Sequence, residues 1–307
     1  LLRLVEVDRQ NLESRLEGRG LGIRTGPFTV RVQSDIPSVA DGLVFHYGQF
    51  ELWESDFHDF HVSVRRSQGI RRWVSRQANF AFDGFRPFLP LPVDQAFPML
   101  EWGMNWCVST HANHLLIIHA AVVERNGFVA ILPAPPGSGK STLCAGLVLS
   151  GWRLLSDELT LIDPDTGLIY PLARPVSLKN QSISVIAEFS GEARIGVAAH
   201  DTAKGMVAHL RPPADSVWRQ REPASPGWII FPKWQKDAEA MLTPRSQAQT
   251  FIYLAQNAFN YSQLGERGFL AGTELVRQCR CYDFTYHALP DAVHIFNSLA
   301  DEKKATT

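Results

Sequence analysis

The chain has 307 residues, 45% of them hydrophobic and 20% charged, with a formal net charge of −1. That composition belongs to a globular chain with ample material for a core, long enough for two domains. The even charge balance offers neither a basic face for nucleic acid nor an acidic tail. The opening segment LLRLVEVDRQNLESRLEGRG is broken by charge every few residues and reads as neither a signal peptide nor a membrane span.

In chain order, FTVRVQSD (28–35) and FHDFHVSVRRS (57–67) alternate apolar and polar residues and predict strands. They assign residues 1–90 to a small N-terminal α/β or mostly β domain of unknown role. FRPFLPLPVDQAFP (85–98) carries four prolines and reads as an extended connector. Beyond it, a second domain is expected over residues 91–307. Phe97, Leu100, Met104, Cys107 and Val108 recur at helical spacing. LLIIHAAVVE and FVAILPA flank Asn126-Gly127, a dipeptide that tolerates the positive φ angles of a tight hairpin turn. KSTLCAGLVLSG predicts a helix closed by Gly151, WRLLSDELTLID a strand, and PDTG (164–167) a turn back into LIYPLA. Further on, 227–234 reads as a strand, CYDFTYHAL as another, and 262–279 and 290–299 as helices.

The cysteines are Cys107, Cys144, Cys279 and Cys281. The last two have no second pair to complete a zinc site, so all four read as reduced thiols of a cytoplasmic protein.

The most informative stretch is LPAPPGSGKSTL (132–143), with an apolar strand before it and a helical pattern after it. This is the context of a phosphate-binding loop. Ala134 takes the small first position. Pro135, Pro136, Gly137, Ser138 and Gly139 shape a turn whose N–H groups can converge on phosphate oxygens, aided by the positive end of the following helix. Lys140 can reach the β- and γ-phosphates, the Ser141 hydroxyl can ligate Mg²⁺, and Thr142 completes the first helical turn. Asp157 and Glu158 follow one helix and one turn later, where one acid can serve a metal and the other accept a hydroxyl proton. As a pair at a strand end they also suit a solvated surface. His119 lies in an apolar strand that the hairpin brings beside the loop. Taken alone, a histidine in such a run reads first as a core residue.

The stretch from His119 to Asp163 resembles the bacterial HPr kinase/phosphorylase superfamily. HAAVVE, LPAPPGSGKSTL, LLSDE, RPVSLKN and IIFPKW together look like its relatives, the HPr-related kinase A family. The resemblance implies an α/β phosphate-loop kinase core of the HPr kinase and phosphoenolpyruvate carboxykinase type, using ATP and Mg²⁺ to phosphorylate a serine. It carries Lys140 and Ser141 over as phosphate and Mg²⁺ contacts, Asp157 as the base, Glu158 as the second, metal-side acid, and His119 as a group orienting phosphate or acids. By analogy it also implies a homo-oligomer. Two features depart from the pattern. Glu158 stands where the family has a second Asp, and RPVSLKNQS replaces the segment that engages HPr. The implied acceptor is therefore a peptide or small protein rather than HPr. Phosphoryl transfer also needs cations around the equatorial oxygens. Arg174 and Lys179 are the best placed for the nucleotide site, with Lys204, Arg211 and Lys233 behind them. The residues leave two other functions open: phosphorylation of a small hydroxylated metabolite such as a free amino acid, and a nucleotide-gated regulatory or scaffold subunit.

Overall fold

The computed structural model describes residues 2–67 and 76–305, a mixed α/β architecture built on three sheets. The first sheet holds five strands in sequential order: β1 (Leu21–Thr25), β2 (Phe28–Ser34), β3 (Phe60–Arg66), β4 (Gln77–Phe82) and β5 (Leu91–Pro92). Strands β2 and β3 run parallel and the other neighbours antiparallel. One face is covered by α1 (Arg9–Glu17), which starts at the Asp8 cap, by α2 (Pro37–Tyr47), and by α3 (Ala96–His111).

Helix α3 packs back across the boundary drawn at residue 90. Its apolar stripe, including Leu100, Met104 and Cys107, packs into the core of the first sheet, and that core continues through Leu159 and Leu161 of the second and Leu172 beyond β10. The proline-rich stretch is no free connector either. It contributes edge strand β5, and its Phe88 packs against Phe80 and Trp106.

The second sheet holds β6 (Leu116–Arg125), β7 (Phe128–Pro133), β8 (Arg153–Ser156), β9 (Leu159–Ile162), β10 (Ile169–Tyr170), β14 (Ser225–Trp234), β15 (Met241–Pro244) and β16 (Arg280–Tyr286), in the order β10-β9-β6-β7-β14-β16-β15. Strand β8 continues the β9 edge alongside β6. Strands β7, β14 and β16 are parallel, so their C-terminal ends share one edge. The β6–β7 hairpin turns on Asn126 and Gly127, at φ 56° and 85°. The apolar runs of β6, β7 and β14 are buried on both faces. Ala121, Val123, Leu132, Trp228 and Ile230 pack with α4 (Lys140–Leu149) and α10 (Leu289–Ala305). Ala120, Val122, Ile131 and Ile229 pack beneath α7 (Gln247–Gln256), α8 (Tyr261–Leu264) and α9 (Glu266–Gln278). A three-stranded sheet, β11 (Val176–Lys179), β13 (Gly205–Leu210) and β12 (Ala199–Thr202), carries α5 (Gln181–Phe189) and lies between these layers, with α6 (Ala214–Trp218) following it. Neither this sheet nor α5 nor α7 was expected from the sequence.

All four cysteines are free and buried. Among the described residues, no helix is long and apolar enough to cross a membrane.

Candidate active site

Strand parity places the site. His119 shares the face of Ala121 and Val123, and Trp234 that of Trp228 and Ile230, so both side chains project toward α4, where the loop lies. The loop runs from the end of β7 into α4. Gly137 and Gly139 adopt φ 85° and 87°, a region open to glycine at little cost. A Cβ on Gly139 would meet Tyr286 Oη at 2.6 Å. The loop is fastened from outside: Tyr286 Oη donates to the Gly139 carbonyl at 3.1 Å, and Trp234 N–H to the Ser138 carbonyl at 2.8 Å. The first turn of α4 leaves the N–H groups of Lys140, Ser141 and Thr142 without intrahelical acceptors, directed into a cavity of about 610 Å³. Ala134 through Thr142, His119, Glu158 and Lys179 all line it.

Lys140 Nζ lies 3.3 Å from His119 Nε2. An ammonium can only donate, so Nε2 accepts and the imidazole is neutral. Burial first, then the Lys140 charge, push His119 down to about 4. In this arrangement the ring accepts from the Lys140 ammonium.

The two acids occupy different environments. Leu155 is an extra residue opposite the Val122–Val123 step of β6, and the chain bends at Asp157 and Glu158 before pairing resumes in β9. Asp157 is only 6% exposed and sits behind the loop, outside the cavity wall. Its Oδ2 accepts from Ser141 Oγ at 3.3 Å and from Ser177 N–H at 3.0 Å. Its Oδ1 is buried with no partner among the described residues. Burial pushes Asp157 up to about 6, against the pull of Lys140. Glu158 instead faces the cavity. Burial raises it, but Lys140, Lys179 and Lys204 outweigh that and hold it below the usual carboxylate range.

The structure does not bring Arg174 to the loop. Its guanidinium is buried, bonded to Glu101 at 2.7 Å, to the Tyr47 hydroxyl at 3.3 Å and to Asn105 Oδ1 at 2.9 Å. Asn105 in turn donates to Glu158 Oε2 at 2.9 Å. Arg174 thus supports Glu158 at one remove. Lys179, at the end of β11, does reach the cavity. Lys204 lies at the tip of the β12–β13 hairpin, 5.0 Å from the Trp102 ring centroid. Arg211 and Lys233 do not line the cavity.

Sequence reasoning missed Glu101 and Asn105. Their signal was present: two polar residues one helical turn apart inside an otherwise apolar stripe. Ser177, Trp234, Tyr286 and His287 carried no comparable mark. The chain matches no protein-family model and no curated protein.

Proposed function

We propose that this chain is an ATP-dependent, Mg²⁺-requiring kinase that transfers the γ-phosphoryl group to a serine hydroxyl in a peptide or small protein. The observation that carries the reading is the Ser141–Asp157 hydrogen bond beside Lys140, at a helix N-terminus that opens on a cavity walled by Glu158. The motif set from HAAVVE to IIFPKW supports membership of the HPr-related kinase A family, and with it a phosphate-loop kinase core.

The acids are best read with their roles exchanged relative to the family carry-over. Ser141 and Asp157 suit Mg²⁺, which such sites hold through one or two protein oxygens together with phosphates and water. The partnerless Oδ1 of Asp157 is a group that such an environment would satisfy. Bound there, Mg²⁺ would neutralise charge on the β- and γ-phosphates. Glu158, on the cavity side, takes the proton as the serine oxygen forms its bond to phosphorus and the bond to the ADP oxygen breaks. What supports this assignment is position: Glu158 lines the cavity and Asp157 does not, and a base must reach its proton before its basicity matters. Lys140 and Lys179 line the cavity in which charge accumulates, and the backbone amides of the loop add further donors.

The test is incubation with γ-labelled ATP, Mg²⁺ and a lysate of the source organism. The expected result is label on serine in a peptide or small protein, lost with Lys140→Ala. Label appearing only in a small metabolite, or no transfer at all, overturns the acceptor class or the kinase reading respectively.

A further inference from the structure

We propose that Trp234 and His287 form the base-binding subsite of the nucleotide, on the β14–β16 flank of the loop. The inference rests on the phosphate-loop reading and adds a direction to it. Strand order puts β7 and its loop in the middle, β6 and β9 on one side, β14 and β16 on the other. The polar side chains of His119 and Glu158 belong to the first flank. The second flank presents the indole of Trp234, 48% exposed although it is a large apolar ring, together with His287. Val185, 42% exposed, and the buried Leu289 also line the cavity. The triphosphate therefore points its γ end at the acids and its nucleoside end at an aromatic and aliphatic slot.

The slot is built rather than incidental. Trp234 Nε1 donates to the His287 carbonyl at 3.0 Å, and the two rings meet edge to face at 5.8 Å. Asp237 N–H donates to His287 Nδ1 at 2.9 Å, which leaves the His287 Nε2–H as a donor. The backbone of Trp234 is tied to Ser138, so the ring keeps a fixed distance from the phosphates. A flat, π-bearing group with ring-nitrogen acceptors fits this chemistry, which is the chemistry of a nucleobase.

The experiment compares ATP with inorganic tripolyphosphate, which has the phosphates and no base. Affinities for both, with Mg²⁺, are measured by calorimetry on wild type, Trp234→Ala, Trp234→Phe and Lys140→Ala. Trp234→Ala should weaken ATP about tenfold, the scale of one lost base–aromatic stack, and leave tripolyphosphate within about twofold of wild type. Trp234→Phe, which keeps a stacking ring, should recover most of the ATP affinity. Equal losses for both ligands, or no loss for either, would overturn the subsite while leaving the phosphate loop intact. Tripolyphosphate affinity that ignores Lys140→Ala would instead remove the phosphate-loop reading, and this inference with it.

Discussion

Asn105 and Glu158 lie 53 residues apart in the chain and 2.9 Å apart in space. The amide has only one orientation that works. Arg174 can only donate, so Asn105 Oδ1 faces Arg174 and its NH₂ faces the carboxylate. The first-sheet unit, through α3, thereby fixes the acid that walls the cavity.

Asn105→Ala should therefore slow phosphoryl transfer about tenfold, the value of one hydrogen bond to a charged group, with ATP affinity unchanged. Asn105→Asp should be worse, because it sets a second carboxylate against Glu158. Single-turnover transfer from labelled ATP, with calorimetry on the same preparations, measures both. A rise in ATP Kd matching the loss of rate would mean that Asn105 serves nucleotide binding instead.

The loop and the acid pair should separate binding from chemistry. Lys140→Ala is expected to lower transfer by at least about a hundredfold. Glu158→Gln should bind ATP·Mg²⁺ normally and transfer nothing, whereas Asp157→Asn and Ser141→Ala should chiefly raise the Mg²⁺ concentration needed. Metal titrations of the three variants decide the assignment: transfer lost in Asp157→Asn at saturating Mg²⁺, yet retained in Glu158→Gln, would return the base to Asp157.

Two glycines of the loop predict unequal damage. Both have positive φ, which costs an alanine about 1–3 kcal/mol. Gly137 has open space around its missing Cβ, while at Gly139 a Cβ would meet Tyr286 Oη at 2.6 Å and Trp234 Cβ at 3.0 Å. Gly139→Ala should lower thermal stability and tripolyphosphate affinity more than Gly137→Ala. Equal effects on Tm would show that strain alone, and not the Tyr286 contact, shapes the loop.

A buried histidine pair gives the fold an acid limit. His46 and His209 have ring centroids 6.0 Å apart, and burial pushes each down to about 3. Their charged surroundings are Glu101 and Arg211 for His46, and Glu158, Arg174, Lys179 and Lys204 for His209. Below the ordinary histidine value the unfolded chain takes up protons that the fold refuses. Their contribution is thus fully present above pH 6.5 and lost as pH falls toward 3. Each histidine adds a slope of about 1.4 kcal/mol per pH unit in that window. Denaturant unfolding between pH 4.5 and 6 should show a shallower slope for His46→Gln than for wild type. An unchanged slope would mean that His46 already titrates in the native state.

Much of the second sheet was legible because its elements announce themselves locally. The Asn126-Gly127 turn, the run of β6, the glycine loop and the helix closed by Gly151 each carry a short-range signal. The acids could be found by spacing, but not their different surroundings. Those depend on the Leu155 bulge, the loop serine and three lysines, all set by tertiary contacts. Arg174 misled for a related reason. A cation near a phosphate loop reads as a phosphate ligand until Glu101 and Tyr47 appear opposite it, and Tyr47 comes from the segment assigned to another domain. The β11–β13–β12 sheet stayed unread because its short strands pair across an intervening helix and lack alternation long enough to register.

The continuous core joining the first sheet, α3 and β9 has a consequence for the life of the molecule. The loop and its lysine belong to the later sheet, while Asn105, which holds Glu158, sits on α3, packed against the earlier one. On the kinase reading, a molecule whose first third is undocked would still grip nucleotide but transfer phosphate more slowly, as Asn105→Ala should. Full turnover would then be reserved for the assembled molecule, and limited proteolysis near residue 90 followed by separate assays of ATP retention and transfer would expose that reserve.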